Sequence, residues 1–217
     1  MSQIHEISPK HCAKKQGFTN NKKFNKKFLC SFSTFLLSVL SLILLVYLTL
    51  HPKKPQFSLQ QADIYQFNLS NIPNFSTLNS TIRLTLLSKN PNQRVGIYYD
   101  EIQVHASYKG QQITQNTPLP EFYQGHEDTN FLSASLNGIM LPVAPSFGYE
   151  VQRDQAAGRL MMNLKADGKL RWKVGTWVSG KYRFNVNCIA IIPFGSVVAA
   201  TSGPLRFREG TQCSTTV

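Results

Sequence analysis

Acidic side chains are scarce in this chain: eleven Asp and Glu stand against twenty-three Lys and Arg, for a formal net charge of +12. A single acid, Glu6, precedes residue 50, and residues 29–50 contain neither a charge nor a proline. Cysteine is sparse too, at four residues. After residue 50 there is no long apolar stripe of 3.6-residue period, which excludes a helical bundle as the main body. Neither an internal repeat nor an interdomain linker divides that part. Its roughly 160 residues are enough for one domain with its own core.

Catalytic constellations are missing as well. Residues 175–181, GTWVSGK, match G-x-x-x-x-G-K, but Tyr182 stands where a serine or threonine would hold Mg²⁺. From Tyr182 onward the residues alternate like a strand, whereas a phosphate loop must open a helix. His126, Glu127 and Asp128 offer polar ligands, yet no H-E-x-x-H or second histidine at helical spacing accompanies them. His105 falls on the polar face of a strand and reads as solvated. With no G-x-S-x-G nucleophile elbow either, the sequence points to no enzyme, no cofactor and no metal.

The most prominent positive feature is the apolar run at 29–50. Twenty-two residues at about 1.5 Å each give a helix of about 33 Å, enough for a hydrocarbon core of about 30 Å. A cleaved signal peptide would be shorter and end in small residues, whereas this run ends at His51-Pro52-Lys53-Lys54. Lys10, Lys14, Lys15, Lys22, Lys23, Lys26 and Lys27 precede it; only Lys53 and Lys54 stand close behind it. Lysine-rich flanks stay cytoplasmic, so a type II signal anchor is expected, with the carboxyl-terminal part outside the cell or in a lumen.

Three N-x-S/T acceptors agree with that side, at Asn68, Asn74 and Asn79. Cys188 and Cys213 fall there too and can form a disulfide in an oxidising compartment; the alternative is a buried core thiol at Cys188. Cys30, beside the lysine cluster, is a palmitoylation candidate or an unmodified cysteine. Half of the excess positive charge lies in the short tail facing the anionic cytoplasmic leaflet, and the other half lies outside, away from nucleic acid. The expected partners are the lipid bilayer and proteins, with acidic wall polysaccharide or lipid as further candidates.

The domain plan is a disordered basic tail at 1–28, the anchor at 29–50, a stalk at 51–60 marked by Pro52 and Pro55, and a β domain at 61–217. Ile64, Phe67 and Leu69 open the strand pattern loosely. Ile82, Leu84 and Leu86 alternate with polar residues, as do Ile102, Val104 and Ala106. Lys109-Gly110 reads as a turn, and Asp167-Gly168 as a hairpin between 160–164 and 170–174. Phe184, Val186, Cys188, Ala190 and Ile192 give the cleanest alternation. The fold class expected is all-β, an antiparallel sandwich.

Three segments carry a resemblance. Residues 90–100 (NPNQRVGIYYD), 119–129 (LPEFYQGHEDT) and 173–188 (KVGTWVSGKYRFNVNC) resemble, in order, the signature blocks of the plant family named for non-race-specific disease resistance and harpin-induced proteins. The resemblance covers roughly residues 60–215. It implies a late-embryogenesis-abundant group 2 domain, a fibronectin- or immunoglobulin-like sandwich. It also implies a plasma-membrane or plasmodesmal location and a part in pathogen defence, senescence or stress.

The first block is a candidate recognition loop through Asn90, Pro91, Asn92, Tyr98, Tyr99 and Asp100. The structural reading of the same residues is a turn and strand entry, since Pro and Asn suit turns. Tyr98 and Tyr99 must point to opposite faces. Residues 122–126 read as a contact surface or as a plug over one end of the sandwich. The chain as a whole reads as a membrane-tethered interaction module. Two rivals stand beside it: an acyl-chain site between the sheets, and a wall tether through Arg153, Arg159, Lys165, Lys169, Arg171 and Lys173.

Overall fold

Apolar side chains every second residue, in strand after strand, leave this chain one economical solution: two sheets that bury their like faces against each other. The computed structural model describes residues 20–50, 52–72, 75–193, 205–207 and 210–217. It divides into two units, residues 1–51 and 52–217. In the first, helix α1 runs Asn20–Leu50, so residues 20–28, expected to be disordered, continue the apolar helix toward the amino terminus. The side chains of Phe28–Leu45 are exposed throughout, and that stretch is long and apolar enough to cross a membrane. The rest of the basic tail, residues 1–19, lies outside the described residues.

The second unit runs β1 (Gln56–Ile72), β2 (Phe75–Lys89), β3 (Gly96–Tyr108), β4 (Gln111–Gln112), β5 (Thr117–Pro118), β6 (Phe122–Gln124) and β7 (Thr129–Val143). Helix α2 (Phe147–Ala156) comes next, then β8 (Arg159–Val174), β9 (Trp177–Val178), β10 (Tyr182–Pro193), β11 (Leu205–Phe207), β12 (Thr211–Gln212) and β13 (Ser214–Thr216). Sheet A has the order β11-β1-β2-β7, with β12 also on β1. Sheet B has the order β13-β10-β8-β3-β4, with β5 and β6 on β3 and β9 on β8. Every pairing is antiparallel, and the fold is all-β as expected.

Between the sheets Phe57 of β1 stacks on Phe184 of β10 at 6.0 Å, and Tyr99 meets both rings edge-on. Leu84, Leu86, Ile97, Leu136 and Leu164 fill the space around them. The Tyr99 hydroxyl is buried with Ser88 and Gln124: Ser88 Oγ lies 3.3 Å from it, and it donates to Gln124 Oε1 at 3.1 Å. Burial pushes its pKa far above the ordinary phenol range, so it stays a neutral donor. Phe147 of α2 closes one end against Tyr108 and Phe67, while Tyr108 donates to Asp154 Oδ2 at 2.8 Å.

Two sequence expectations change here. Asp167-Gly168 is no hairpin; β8 runs straight through it. A Cβ on Gly168 would meet the ring of Phe184, its direct partner on β10 of the same sheet, at 2.8 Å, so this glycine is selected by cross-strand packing and not by a turn. The turn instead lies at Gly175 (φ +57), where Val174 pairs with Trp177. The stalk is shorter than expected, because β1 already begins at Gln56 and Pro55 is buried. The loose pattern at Ile64, Phe67 and Leu69 has its cause in two bulges, between Leu59 and Gln61 and between Ile64 and Gln66, each of which shifts the alternation by one. The Lys109-Gly110 turn is where it was read, with φ of +46 and +86.

Candidate interaction surface

Parity in β8 decides what reaches the outside of sheet B. Leu160, Met162, Leu164, Ala166, Leu170 and Trp172 face the core, so the odd-numbered residues face outward. That row carries Lys165, Asp167, Lys169, Arg171 and Lys173. On β3, Tyr98 pairs with Arg171, Asp100 with Lys169, and His105 with Lys165. On β10, Arg183 pairs with Lys169 and Asn185 with Asp167.

Some of these charges are spoken for. Arg171 grips the buried Asp100 with two parallel bonds, Nε to Oδ2 at 2.7 Å and Nη2 to Oδ1 at 2.9 Å. Glu101, turned outward by a bulge at φ +53, accepts from Lys169 at 2.6 Å and Lys181 at 3.2 Å. The Lys169 bond and then the Lys181 bond hold its carboxyl below the usual range. His105 lies 3.9 Å from Asp167, but burial pushes its pKa down, against the weaker upward pull of that carboxylate. It is therefore a neutral, mostly covered imidazole and not the solvated residue expected. Among the described residues no acid forms an ion pair with Lys165, Lys173 or Arg183.

Aromatic rings border this charge. Tyr98 packs on Tyr123 of β6 at 4.6 Å, and Arg171 lies 5.2 Å from the Tyr98 ring centre. Lys173 sits 5.6 Å from Tyr98 and 5.0 Å from Tyr123. Gly96 makes room for Tyr123, whose ring occupies the space a Cβ would need. Trp177 and Val178 of β9, which pairs with the end of β8, are exposed. Lys173 beside these rings, with Lys165 and Arg183 further along the same face, can recognise an acidic partner. Among the described residues no cluster of metal-ligating side chains occurs, and the His126–Asp128 stretch is a turn with Glu127 at φ +53.

The first signature block mostly points inward. Asn90 is fully buried; its Nδ2 donates to Val95 O at 2.8 Å and Gly125 O at 2.7 Å, and its Oδ1 accepts from Asn92 N and Nδ2. Every hydrogen-bonding position of that amide is used. Asn92 in turn clamps the chain just after the anchor: Lys53 N donates to its Oδ1, and its Nδ2 donates to Lys53 O, each at 2.7 Å. Pro91 is half-buried between them, and Tyr99 and Asp100 are buried. Of the six residues, Tyr98 alone reaches the outer surface with its ring in play. In the second block, Phe122 stacks on Tyr99 at 4.6 Å and covers the end of the core, whereas Tyr123 joins the surface.

Of the six basic residues grouped from the sequence, Lys165, Lys169, Arg171 and Lys173 share one row. Arg159 lies at the far end of β8, and Arg153 sits on α2 beside Asp154. Lys181, Arg183 and Tyr123 were not grouped with them. Arg183 was legible, since it alternates with core-facing Phe184; Tyr123 was not, because β6 reaches β3 only through long-range pairing. Cys188 and Cys213 form a disulfide and are both buried, while Cys30 is free and exposed on α1. Asn68 and Asn79 are direct partners across β1 and β2; Asn74 lies outside the described residues.

The late embryogenesis abundant protein family LEA_2 matches residues 85–188, from the middle of β2 to the disulfide cysteine of β10. NDR1/HIN1-like protein 26 of Arabidopsis thaliana is 55% identical over 217 residues, covering all of both chains. NDR1/HIN1-like protein 1 of the same plant is 39% identical, covering 91% of this chain and 96% of its own. A solved protein from Archaeoglobus fulgidus superposes with a TM-score of 0.28 at 12% identity, covering 70% of this chain and 97% of its own. Full-length identity of this order, together with the three signature blocks, places the chain in the NDR1/HIN1-like family.

Proposed function

We propose that the chain is a single-pass type II membrane glycoprotein whose sandwich, displayed outside the cell or in a lumen, works by binding and not by catalysis. The seven lysines before the anchor favour a cytoplasmic amino terminus. The names of its relatives favour a role in plant defence or stress, and the plasma membrane or plasmodesmata is the location proposed for it. The observation that carries the binding reading is the outer face of sheet B, where Lys173 lies against Tyr98 and Tyr123 and where Lys165, Lys173 and Arg183 have no acidic partner among the described residues. An acidic partner is the complement of that face, either a wall polyuronate or an acidic protein surface. The interior filled by Phe57, Tyr99 and Phe184 favours recognition at the surface over an acyl chain held between the sheets.

Retention of the detergent-purified full chain on immobilised polygalacturonate tests this. The triple variant Lys165→Glu, Lys173→Glu, Arg183→Glu should lose retention that the parent chain shows and that salt weakens. Equal retention by the variant would exclude the face. A parent chain that does not bind excludes the polysaccharide and leaves an acidic protein surface as the partner.

A further inference from the structure

The outer face of sheet A presents a different kind of site. Opposite Asn79, strand β7 bulges: Leu78 pairs with Leu141 and Ser80 with Gly138, so Ile139 and Met140 are extruded between them. Both are largely exposed, at 68% and 59%, and Met140 is held at φ +47. Gly138 fixes the bulge, since a Cβ there would overlap the backbone oxygen of Ile113. Beside it runs a groove of about 460 Å³ lined by Gln66, Asn79, Thr81, Asn137, Ile139 and Met140 among others. Its sides are uncharged amides and a hydroxyl, and its lip is apolar.

One contact orients the acceptor amide. Met140 N donates to Asn79 Oδ1 at 2.7 Å. Because a backbone N–H can only donate, Oδ1 must be the atom facing it, and the planar amide then turns Nδ2 the other way. No described residue accepts from Nδ2. The atom that an N-linked sugar would join is thus aimed away from the bulge and left without a partner, at the edge of a groove with amide groups and an apolar lip.

We propose that Asn79 carries an N-linked glycan whose first N-acetylhexosamine lies in this groove, covering Ile139 and Met140. The inference rests on the lumenal placement of the domain proposed above. In that compartment, Nδ2 displaces the pyrophosphate of an oligosaccharyl polyprenyl pyrophosphate: the N–C1 bond forms as the C1–O bond breaks, and one amide proton is lost. Nδ2 keeps its second hydrogen and Oδ1 keeps the Met140 bond, so the modification leaves the bulge intact. Gln66, Thr81 and Asn137 supply donors and acceptors for the acetamide and hydroxyls, and the apolar lip supplies a surface for the CH face of the ring. Asn68, directly across the β1–β2 pair, is an exposed second acceptor on the same side.

The test is made on the full chain, expressed through the secretory pathway of a eukaryotic host that keeps glycans in the high-mannose form. Peptide mass spectrometry reads occupancy at Asn68, Asn74 and Asn79, and peroxide oxidation reads exposure of Met140 against the half-exposed Met161 of sheet B. With the glycan whole, or trimmed to one sugar, Met140 oxidation should be slowed by about threefold or more relative to the amidase-stripped chain, with Met161 unchanged. Occupancy at Asn68 but not Asn79 overturns the inference while leaving the topology in place. No occupancy at any of the three overturns the topology itself. Full occupancy at Asn79 with no change at Met140 overturns the seating of the sugar.

Discussion

The outward sides of the two sheets rest on one shared core yet carry opposite chemistry. Sheet B shows Lys165, Lys169, Arg171, Lys173 and Arg183 with Tyr98 and Tyr123 among them. Sheet A shows Gln66 and Asn68, Asn79, Thr81 and Thr85, and Ser133, Ser135 and Asn137 on its three long strands; Arg83 is laid over Tyr65 at 5.2 Å. Alternation fixes half the residues of each strand for burial and leaves the other half unconstrained by the fold. The two sets of free positions have accordingly diverged, one toward charge and one toward uncharged hydrogen bonding.

The largest test of this comparison is to loosen the seam that holds the faces back to back. Cys213 lies where the chain passes from β12 of sheet A to β13 of sheet B, its N–H donates to Phe57 O, and its sulfur is bonded to Cys188 across a separation of 25 residues. Replacing both cysteines by serine should lower unfolding free energy by about 3 kcal/mol. Denaturant titration followed separately by Trp172 fluorescence and by protection of β2 amides would show whether both sheets fail together. Non-coincident transitions would mean that the faces sit on separable halves.

Next in size is Gly138→Ala, which forces a methyl group against backbone at the sheet A bulge and should cost about 2 kcal/mol by thermal unfolding. Its counterpart on sheet B is Arg171→Ala, which leaves the buried Asp100 without its fork. Since Arg171 is itself about a third exposed, solvent screens part of that loss, and a smaller drop in Tm than for Gly138→Ala is expected. If Gly138→Ala changes polyuronate retention while Arg171→Ala does not, the assignment of binding to sheet B fails.

The smallest effect is one of pH. His105 has a folded pKa below its unfolded value of about 6.5, so its contribution to stability is complete above that value and is lost as pH falls through it toward the folded pKa. His105→Gln should flatten the slope of stability just below about pH 6.5. Glu101→Gln should act lower, because its folded pKa is depressed and its share is lost as pH falls below the ordinary carboxylate range. A parent chain whose stability is level just below about pH 6.5 would contradict the first assignment, and one whose stability stays level below about pH 4 would contradict the second.

Much of this was legible in the sequence because the core is written in alternation. The row Leu160 to Leu164, the row Phe184 to Ile192 and the turn at Lys109-Gly110 all lie where local pattern puts them. Local pattern failed where a distant residue set the geometry. Gly168 looked like a turn because the ring of Phe184 that requires it lies sixteen residues further on. The bulges of β1 hid its parity, and α2, polar along most of its length, left no periodic trace. The surface was half legible. Basic residues on β8 share a face by counting, whereas the partners that occupy Arg171, Lys169 and Lys181 belong to β3, some seventy to eighty residues away.

The clamp at Lys53 sets where a mechanical load would enter the domain. Tension along the chain from the amino-terminal side meets the paired bonds of Asn92, then Asn90, and through it Val95 and Gly125. With Asn92→Ala the paired backbone bonds are lost, and the load would pass to Lys54, whose Nζ donates to Thr215 O at 2.9 Å, and to the buried Pro55 before it reached β1 at Gln56.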